Sequence, residues 1–400
     1  MTVRVSKPAF NLREKLSELD RPVGNHGSQL MRSVDTEESF NLIRAGRKNI
    51  IINGEQKIWQ RGTSISSPAG TGLIFGSDRW MFEEGCGELV ATVSRSADTP
   101  VGEGFQYSAQ INVDTVESTI SGDFAQYMYF VEGYDAAHLE WGTAHAKPVT
   151  LSFWFKTTVS GDHYVTINSS GGVDTWSTVI HSPTNAWKKH VVTIDPPTSG
   201  TWLNDQRRGI EIRIGLCNSS SVAVSDWDKW YYGGGAYNGF STAHSNLILT
   251  QNNKAWLTGV QLEEGNVATP FEFRSYGEEL ALCERYYERY WQNNNVLGPG
   301  GGGGDGYNTI SAGAHNGSNG YYTWRFSTQK RARPSVDYAG KFRVIGGSSI
   351  ANQVPNEFYS PGADGARIRV NHSGSSGQAF ILEFDGNNSS TGYLEASAEL

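Results

Sequence analysis

The sequence predicts a mainly β protein, and three observations lead to this fold class. Charged residues make up only 18% of the 400 residues, 47 residues are glycine, and aromatic residues reach 12%. Low charge, abundant glycine and many aromatic side chains favour short strands joined by turns over helices. Apolar and polar residues alternate in many short stretches, as in 149–155, where Val149, Leu151, Phe153 and Phe155 share one face. A chain of this length has room for two or three domains.

Residues 1–48 differ from the rest and predict an N-terminal segment with two short amphipathic helices. Pro22, Gly24 and Gly27 separate the two helices, and Asp35 is suited to cap the second one. Helices this short do not bury a core by themselves. The segment is therefore either a loosely held extension or a docking segment that orders on a partner. The apolar residues that would dock are Phe10, Leu12, Leu16, Leu19, Phe40 and Ile43.

Residues 49–274 carry the pattern of one β-sandwich, in which short alternating strands are separated by turns. The run 50–52 predicts a buried strand that ends at a turn formed by Asn53 and Gly54. Two long loops are expected at 62–76 and 225–240. The further strands are predicted at 80–82, 88–94, 107–113, 125–131, 149–157, 163–168, 178–181, 188–194, 210–216, 247–250 and 256–262.

Residues 255–290 predict a joint between two domains, because a strand, a turn and a short helix at 278–285 follow one another. Residues 275–400 then predict the linking helix and a small C-terminal β-sandwich of about six strands. The aromatic residues that follow the helix exceed what about 110 residues are expected to bury. We therefore expect an intersubunit contact there, with core packing as the alternative. These residues are Tyr286, Tyr287, Tyr290 and Trp291.

Charge and cysteine content exclude several classes of protein. The net charge of −8 lacks the basic character of a general nucleic-acid binder. No apolar run is long enough to span a membrane, and the N-terminus lacks the apolar core of a secretory signal, so we expect synthesis in a cytoplasm without export by that route. Cys86, Cys217 and Cys283 are too few and too far apart for a disulfide framework or a zinc site.

Several motifs resemble a widespread class of bacteriophage virion proteins, the tail-fibre and minor structural proteins. Residues 49–62 read NIIINGEQKIWQRG and are followed by SDRW at 77–80, HLEWGT at 138–143, VTLSFW at 149–154 and GTW at 200–202. The match closes with TGVQLEEG at 258–265 and ATPFE at 268–272, and it continues from Gly277 to Tyr287. The segments FNLREKL at 10–16 and AGRKN at 45–49 are similar to cyanophage structural proteins, and RARPSV at 331–336 resembles the C-terminal unit of the class.

This resemblance implies a jelly-roll sandwich similar to carbohydrate-binding modules, a terminal β domain, a homotrimer and a place in the virion. It also implies that residues 1–48 dock on other virion proteins. It leaves open whether the protein belongs to the tail, the neck or the head.

The sequence contains no pattern of catalytic residues that predicts an enzyme. The adjacent pair Glu263 and Glu264 would face opposite sides of a strand, so spacing alone does not place them around one glycosidic bond. No cofactor or metal site is predicted. Structural calcium would suit a module-like sandwich, but nothing in the sequence defines its ligands.

The predicted loop at 225–240 is the strongest candidate for binding a glycan. Aromatic rings stack on the apolar faces of sugars, while the polar residues between them hydrogen-bond hydroxyl groups. The alternative is that these rings pack on the sandwich or on another subunit. The candidate residues are Trp227, Trp230, Tyr231, Tyr232, Tyr237 and Phe240.

We therefore expect a non-enzymatic virion protein, a tail-fibre-type adhesin that contacts host surface glycans. A head, neck or capsid decoration with a purely structural role is the alternative. A polysaccharide depolymerase is a third, less favoured hypothesis, because the chain shows no repetitive β-helix rungs.

Overall fold

The structure is a computed structural model that describes Arg32 and residues 47–170, 173–218, 226–233, 245–291, 309–346, 348–359, 361–372, 376–384 and 392–400. The predicted docking residues Phe10, Leu12, Leu16, Leu19, Phe40 and Ile43 lie outside the described residues, as do Tyr237 and Phe240. Asn49–Leu400 forms one compact unit. Within the described ranges, no helix has the length and apolar character needed to cross a membrane.

The first half of this unit is a two-layer antiparallel β-sandwich of jelly-roll type, which confirms the predicted fold class. One sheet has six strands in the order β1-β4-β5-β13-β7-β10, and the other has seven in the order β12-β9-β8-β11-β6-β3-β2. The strands are β1 Ser64–Ser67, β2 Leu73–Phe75, β3 Trp80–Glu84, β4 Val90–Ser96, β5 Ser108–Thr115, β6 Phe124–Glu132, β7 Val149–Thr157, β8 Gly161–Ser169, β9 Thr175–Ser182, β10 Lys188–Ile194, β11 Arg208–Asn218, β12 Trp230–Tyr231 and β13 Lys254–Glu264.

The sandwich core lies between these two sheets, and strand alternation places the apolar side chains in it. Ile210, Ile212 and Ile214 of β11 face inward from one sheet, and Leu151 and Phe153 of β7 face inward from the other. A short helix α1 (Gly133–Ala136) and a 3-10 helix (Ala137–Leu139) follow β6 at one end of the sandwich.

The predicted strand at 50–52 is wrong, although its isoleucines are buried as expected. Side chains satisfy part of its backbone, because the N–H of Ile52 donates to the Tyr129 hydroxyl (3.0 Å) and that of Ile51 to the Asn49 side chain (3.0 Å). Asn53 then turns the chain in the left-handed region, with φ 57°. Two further elements differ from the prediction: residues 247–249 form a 3-10 helix, and the expected loop at 62–76 contains β1 and β2.

The joint contains helix α2 (Tyr276–Glu284), which the Ser275 hydroxyl caps by accepting the N–H of Glu278 (3.3 Å). Arg274, just before the helix, donates to the carbonyl of Ile51 (3.0 Å) and so ties the helix to the start of the sandwich. Cys283 of the helix belongs to the core of the sandwich. Helix α2 therefore packs directly on the sandwich and is not a free linker between two domains.

The predicted intersubunit contact does not hold for Tyr286 and Tyr287. Both side chains are almost fully buried within this one chain, so they have no surface left for another subunit. Tyr290 is half-buried and stacks on Phe384 with ring centroids 5.9 Å apart, while the side chain of Trp291 lies outside the described residues. A single chain of this fold buries more large rings than composition alone indicated.

The C-terminal part consists of two antiparallel sheets with their own apolar core. The three-stranded sheet has the order β14-β23-β17, and the seven-stranded sheet has the order β19-β18-β22-β15-β16-β21-β20. The strands are β14 Tyr287–Trp291, β15 Thr309–His315, β16 Asn319–Arg325, β17 Ser335–Ala339, β18 Phe342–Gly346, β19 Ser348–Gln353, β20 Pro355–Tyr359, β21 Gly365–Asn371, β22 Ala379–Phe384 and β23 Tyr393–Ser397.

Candidate functional site

Three tryptophans meet at one edge of the sandwich, and we call Trp141, Trp202 and Trp230 the tryptophan cluster. Their ring centroids lie 4.7 Å (141 to 202), 5.6 Å (141 to 230) and 5.3 Å (202 to 230) apart. The interplanar angles are 74–88°, which is the edge-to-face arrangement that aromatic quadrupoles favour. Trp141 is buried, whereas Trp202 and Trp230 are half-buried and form the outer part of the cluster.

Each indole is held by a hydrogen bond from its own N–H to a backbone carbonyl. Trp141 donates to Lys147 (2.8 Å), Trp202 to Ser199 (3.2 Å) and Trp230 to Asp195 (2.7 Å). The orientation of all three rings is therefore fixed by the fold. Only their carbon faces and edges remain to contact a ligand.

Gly142 allows the first two tryptophans to approach each other. Its φ of +86° lies in the left-handed region, and a Cβ there would stand 2.9 Å from Cδ1 of Trp202. Its N–H donates to the carbonyl of Pro197 (2.8 Å), which joins the turn after α1 to the loop that carries Trp202.

Asp174 ties together the two loops that supply Trp202 and Trp230. This carboxylate is buried; one oxygen accepts the N–H of Thr201 (3.2 Å) and the other accepts the N–H of Gly233 (3.1 Å). Hydrogen bonds to a charged acceptor are stronger than neutral ones. Asp174 is therefore a positioning residue for the outer part of the cluster.

A pocket of about 210 Å³ lies against Trp141 and Trp202. This volume is below the roughly 300 Å³ of pockets that take drug-sized ligands, so it suits one small group such as a single sugar ring. The pocket is lined by Ala136, Ala137, Glu140, Trp141, Thr143, Trp202, Leu203, Asn204, Gly209 and Ile210.

The polar groups of this lining differ in their availability. The Thr143 hydroxyl donates to the carbonyl of Glu140 (2.7 Å) and accepts the N–H of His145 (3.1 Å). The exposed carboxylate of Glu140 and the exposed amide of Asn204 have no hydrogen-bond or ion-pair partner in the described part of the chain. Both groups are therefore available to a ligand.

The structure separates the aromatic residues predicted for glycan binding. Trp230 joins the cluster, and Tyr232 stacks beside it with centroids 6.4 Å apart and 43% of its surface exposed. Tyr231 points to the opposite face of the sheet, where its hydroxyl donates to the carbonyl of Asp226 (3.2 Å). Trp227 is half-buried and joins none of these ring contacts.

Lys229 of the same loop is engaged by its own neighbour. Its ammonium pairs with the Asp226 carboxylate at 2.5 Å, and this hydrogen bond raises the pKa of Lys229 above its ordinary value. Within residues 226–233, the part of this loop that the structure describes, the lysine is therefore not a free cation.

The sequence-based interpretation missed Trp141 and Trp202 as site residues, although both lie in segments quoted for the family resemblance. Each is a lone tryptophan, far from the aromatic loop in sequence, and nothing in the local pattern distinguishes it from a core residue. In the described ranges, no group of three His, Cys, Asp or Glu side chains is arranged to hold a metal ion.

No protein-family model matches the chain, and no curated protein matches it. Among solved structures, it is similar to the enzymatically active domain of tailspike protein 4 from bacteriophage CBA120, with 13% identity and a TM-score of 0.30 over 54% of this chain and 21% of that one. It is also similar to TmCBM61 in complex with β-1,4-galactotriose (11% identity, TM-score 0.27, 55% of this chain and 100% of that one). A third similar structure is the family 11 carbohydrate-binding module from Clostridium thermocellum in complex with a β-1,3-1,4-mixed-linked tetrasaccharide (12% identity, TM-score 0.27, 50% of this chain and 97% of that one). Likenesses this weak carry no argument about function, which has to come from the residues of the site.

Proposed function

We propose that this chain is a glycan-binding adhesin of the tail-fibre type, and that the tryptophan cluster with its pocket is the binding site. One observation carries the proposal: the buried indole of Trp141 and the half-buried indole of Trp202 line a small pocket whose carboxylate (Glu140) and amide (Asn204) lack partners in the described part of the chain. Apolar rings with a few convergent polar groups are the usual composition of a site for a small polar ligand.

The chemistry of the site suits a sugar. The carbon face of an indole covers the C–H face of a pyranose, while the free carboxylate and amide can exchange hydrogen bonds with its hydroxyl groups. Because the three indole N–H groups already donate to the backbone, the rings need no reorganisation when a ligand binds.

A single shallow site of this kind binds weakly, and several copies on one particle would raise the avidity. The motifs shared with phage virion proteins support a place in the virion. On this proposal, residues 1–48 dock the chain on other virion proteins and the assembly is a homotrimer. Tyr290 and Trp291 remain candidates for the intersubunit contact.

The site supports binding rather than hydrolysis. Glu140 is the one carboxylate in the lining of the described pocket, whereas glycosidases ordinarily use two carboxylates around the scissile bond. We therefore propose that the chain is not an enzyme.

A purely structural role in the head, neck or capsid is the second candidate. It is favoured by the burial of Trp141 and by the packing of Trp202 and Trp230 on the core of the sandwich. On that view, the cluster only closes the edge between the two sheets.

Glycan-array binding by the full chain separates the two functions, with Trp202→Ala as the test variant. Trp187→Ala is the matched control, because this indole is also half-buried and also donates its N–H, to Asp98 (2.9 Å). Trp187 lies just before the first residue of β10, whereas the tryptophan cluster lies beyond the last residue of β10. Seven strand residues separate these two ends by about 20 Å. We expect the wild type and the control to bind and Trp202→Ala to lose binding. A wild type that binds no host envelope glycan would contradict the proposal.

A further inference from the structure

The charge of the pocket lining is negative. Glu140 follows the 3-10 helix with φ 52°, and its side chain is exposed in the pocket lining. Its carboxylate has no partner in the described part of the chain. The pocket therefore contains one uncompensated negative charge.

Three basic side chains close in sequence to the pocket lining are paired elsewhere. Lys147 and His138 both face Glu264, at 3.1 Å and 3.8 Å. Arg207, in the loop that supplies Asn204, forms an ion pair with Asp205 at 2.6 Å. None of these three side chains forms an ion pair with Glu140.

We propose that the pocket binds neutral or amine-bearing sugars in preference to sugar acids, and that Glu140 is the residue that sets this selectivity. The inference rests on the proposed glycan-binding function and adds the chemical class of its ligand. A carboxylate accepts hydrogen bonds from hydroxyl groups and ammonium groups, but it repels a uronate or another acidic sugar. Asn204 both donates and accepts, so it contributes affinity without distinguishing charge.

The expected discrimination is modest, because Glu140 is exposed. Two like charges about 5 Å apart repel each other enough to weaken binding about fourfold at the dielectric constant of bulk water and a few hundredfold at the value typical of a protein surface. For an exposed carboxylate, which lies toward the bulk-water limit, we expect about tenfold at low salt. This repulsion is screened when the Debye length falls to ~3 Å at 1 M salt. Selectivity that fades with salt would be the signature of a charge, whereas selectivity by shape would persist.

The experiment measures calorimetric affinities of the full chain for matched methyl glycosides in the gluco and galacto series: neutral, 2-amino and uronic acid. The variants are wild type, Glu140→Gln and, as a control, Glu103→Gln at an exposed position on the tip of another loop. We expect wild type and Glu103→Gln to bind the uronic acids about tenfold more weakly than the neutral sugars. In wild type the Glu140 carboxylate should also favour the 2-amino sugar, as an ammonium, over the neutral one. In Glu140→Gln the difference between uronic and neutral sugars should fall to within about twofold, and this preference for the amino sugar should disappear.

The outcomes distinguish this inference from the function on which it rests. If the wild type binds neutral and acidic sugars equally well, or if Glu140→Gln leaves the difference unchanged, the selectivity is refuted and the binding function stands. If no sugar of either series binds to any variant, both proposals fail.

Discussion

The coupling between the sandwich and the C-terminal sheets depends on Arg79, and replacing it by methionine should destabilise the whole compact unit. The Arg79 guanidinium is fully buried, pairs with the Glu399 carboxylate at 2.6 Å, donates to the carbonyl of Phe130 (2.6 Å) and lies 3.5 Å from the ring centroid of Tyr286. Methionine keeps the apolar stem but leaves Glu399 and the carbonyl without their main donor.

Removing one partner of a buried ion pair costs about 3–5 kcal/mol. For a unit of roughly 350 residues, the entropy of unfolding is about 0.7 kcal/mol per kelvin. Arg79→Met should therefore lower Tm by about 4–7 °C, measured by calorimetry or circular dichroism. Arg207→Met, which removes an exposed ion pair with Asp205, is the control and should leave Tm unchanged. A Tm for Arg79→Met within 1 °C of the control would refute this reasoning.

Two further predictions concern the cluster and the joint. Gly142→Ala should weaken glycan binding about tenfold, because its Cβ would stand 2.9 Å from Trp202 and overpacking of this kind costs about 1–3 kcal/mol. Gly122→Ala is the control: its φ of +87° is close to the +86° of Gly142, its Cβ would have open space around it, and it should bind like wild type. Equal affinities of the two variants would argue against the packing account. Burial, reinforced by the nearby Glu288, raises the pKa of Glu284 to about 7. Since this folded-state pKa lies above the ordinary 4.5, folding favours the neutral carboxyl, and up to about 3 kcal/mol of stability that is present below pH 4.5 should be lost as pH rises through 7. Glu284→Gln should remove this loss, so a variant whose Tm falls as steeply as that of wild type between pH 5 and 8 would disprove it.

Much of the fold could be predicted because strand alternation is a local signal. The predicted strands at 149–157 and 188–194 have the bounds that the structure shows. The short edge strands β1 and β2 were missed for different reasons: β1 has a single apolar residue, and β2 has three residues, too few to show alternation. At 50–52 the apolar pattern was present but misleading, because a buried run of isoleucines has the composition of a strand. Only the tertiary contacts show that the side chains of Tyr129 and Asn49 accept hydrogen bonds from its backbone.

The candidate site was predictable only in part, because it is assembled from distant segments. The aromatic residues of the loop at 225–240 predicted Trp230 and Tyr232 as candidates, and the structure places both at the site. Trp141 and Trp202 come from two other loops, and their meeting with Trp230 depends on the order of the strands. The intersubunit contact predicted for Tyr286 failed for a related reason, since composition alone does not show how much aromatic surface the joint can bury.

The central claim is that the tryptophan cluster and its pocket contact the glycan. The most direct test is to follow the indole N–H signals of tryptophan-labelled full chain by nuclear magnetic resonance during titration with the best ligand from the array. We predict that the signals of Trp202 and Trp230 shift with the same dissociation constant, while that of Trp187 does not move. Shifts at Trp187 with none in the cluster would contradict the account.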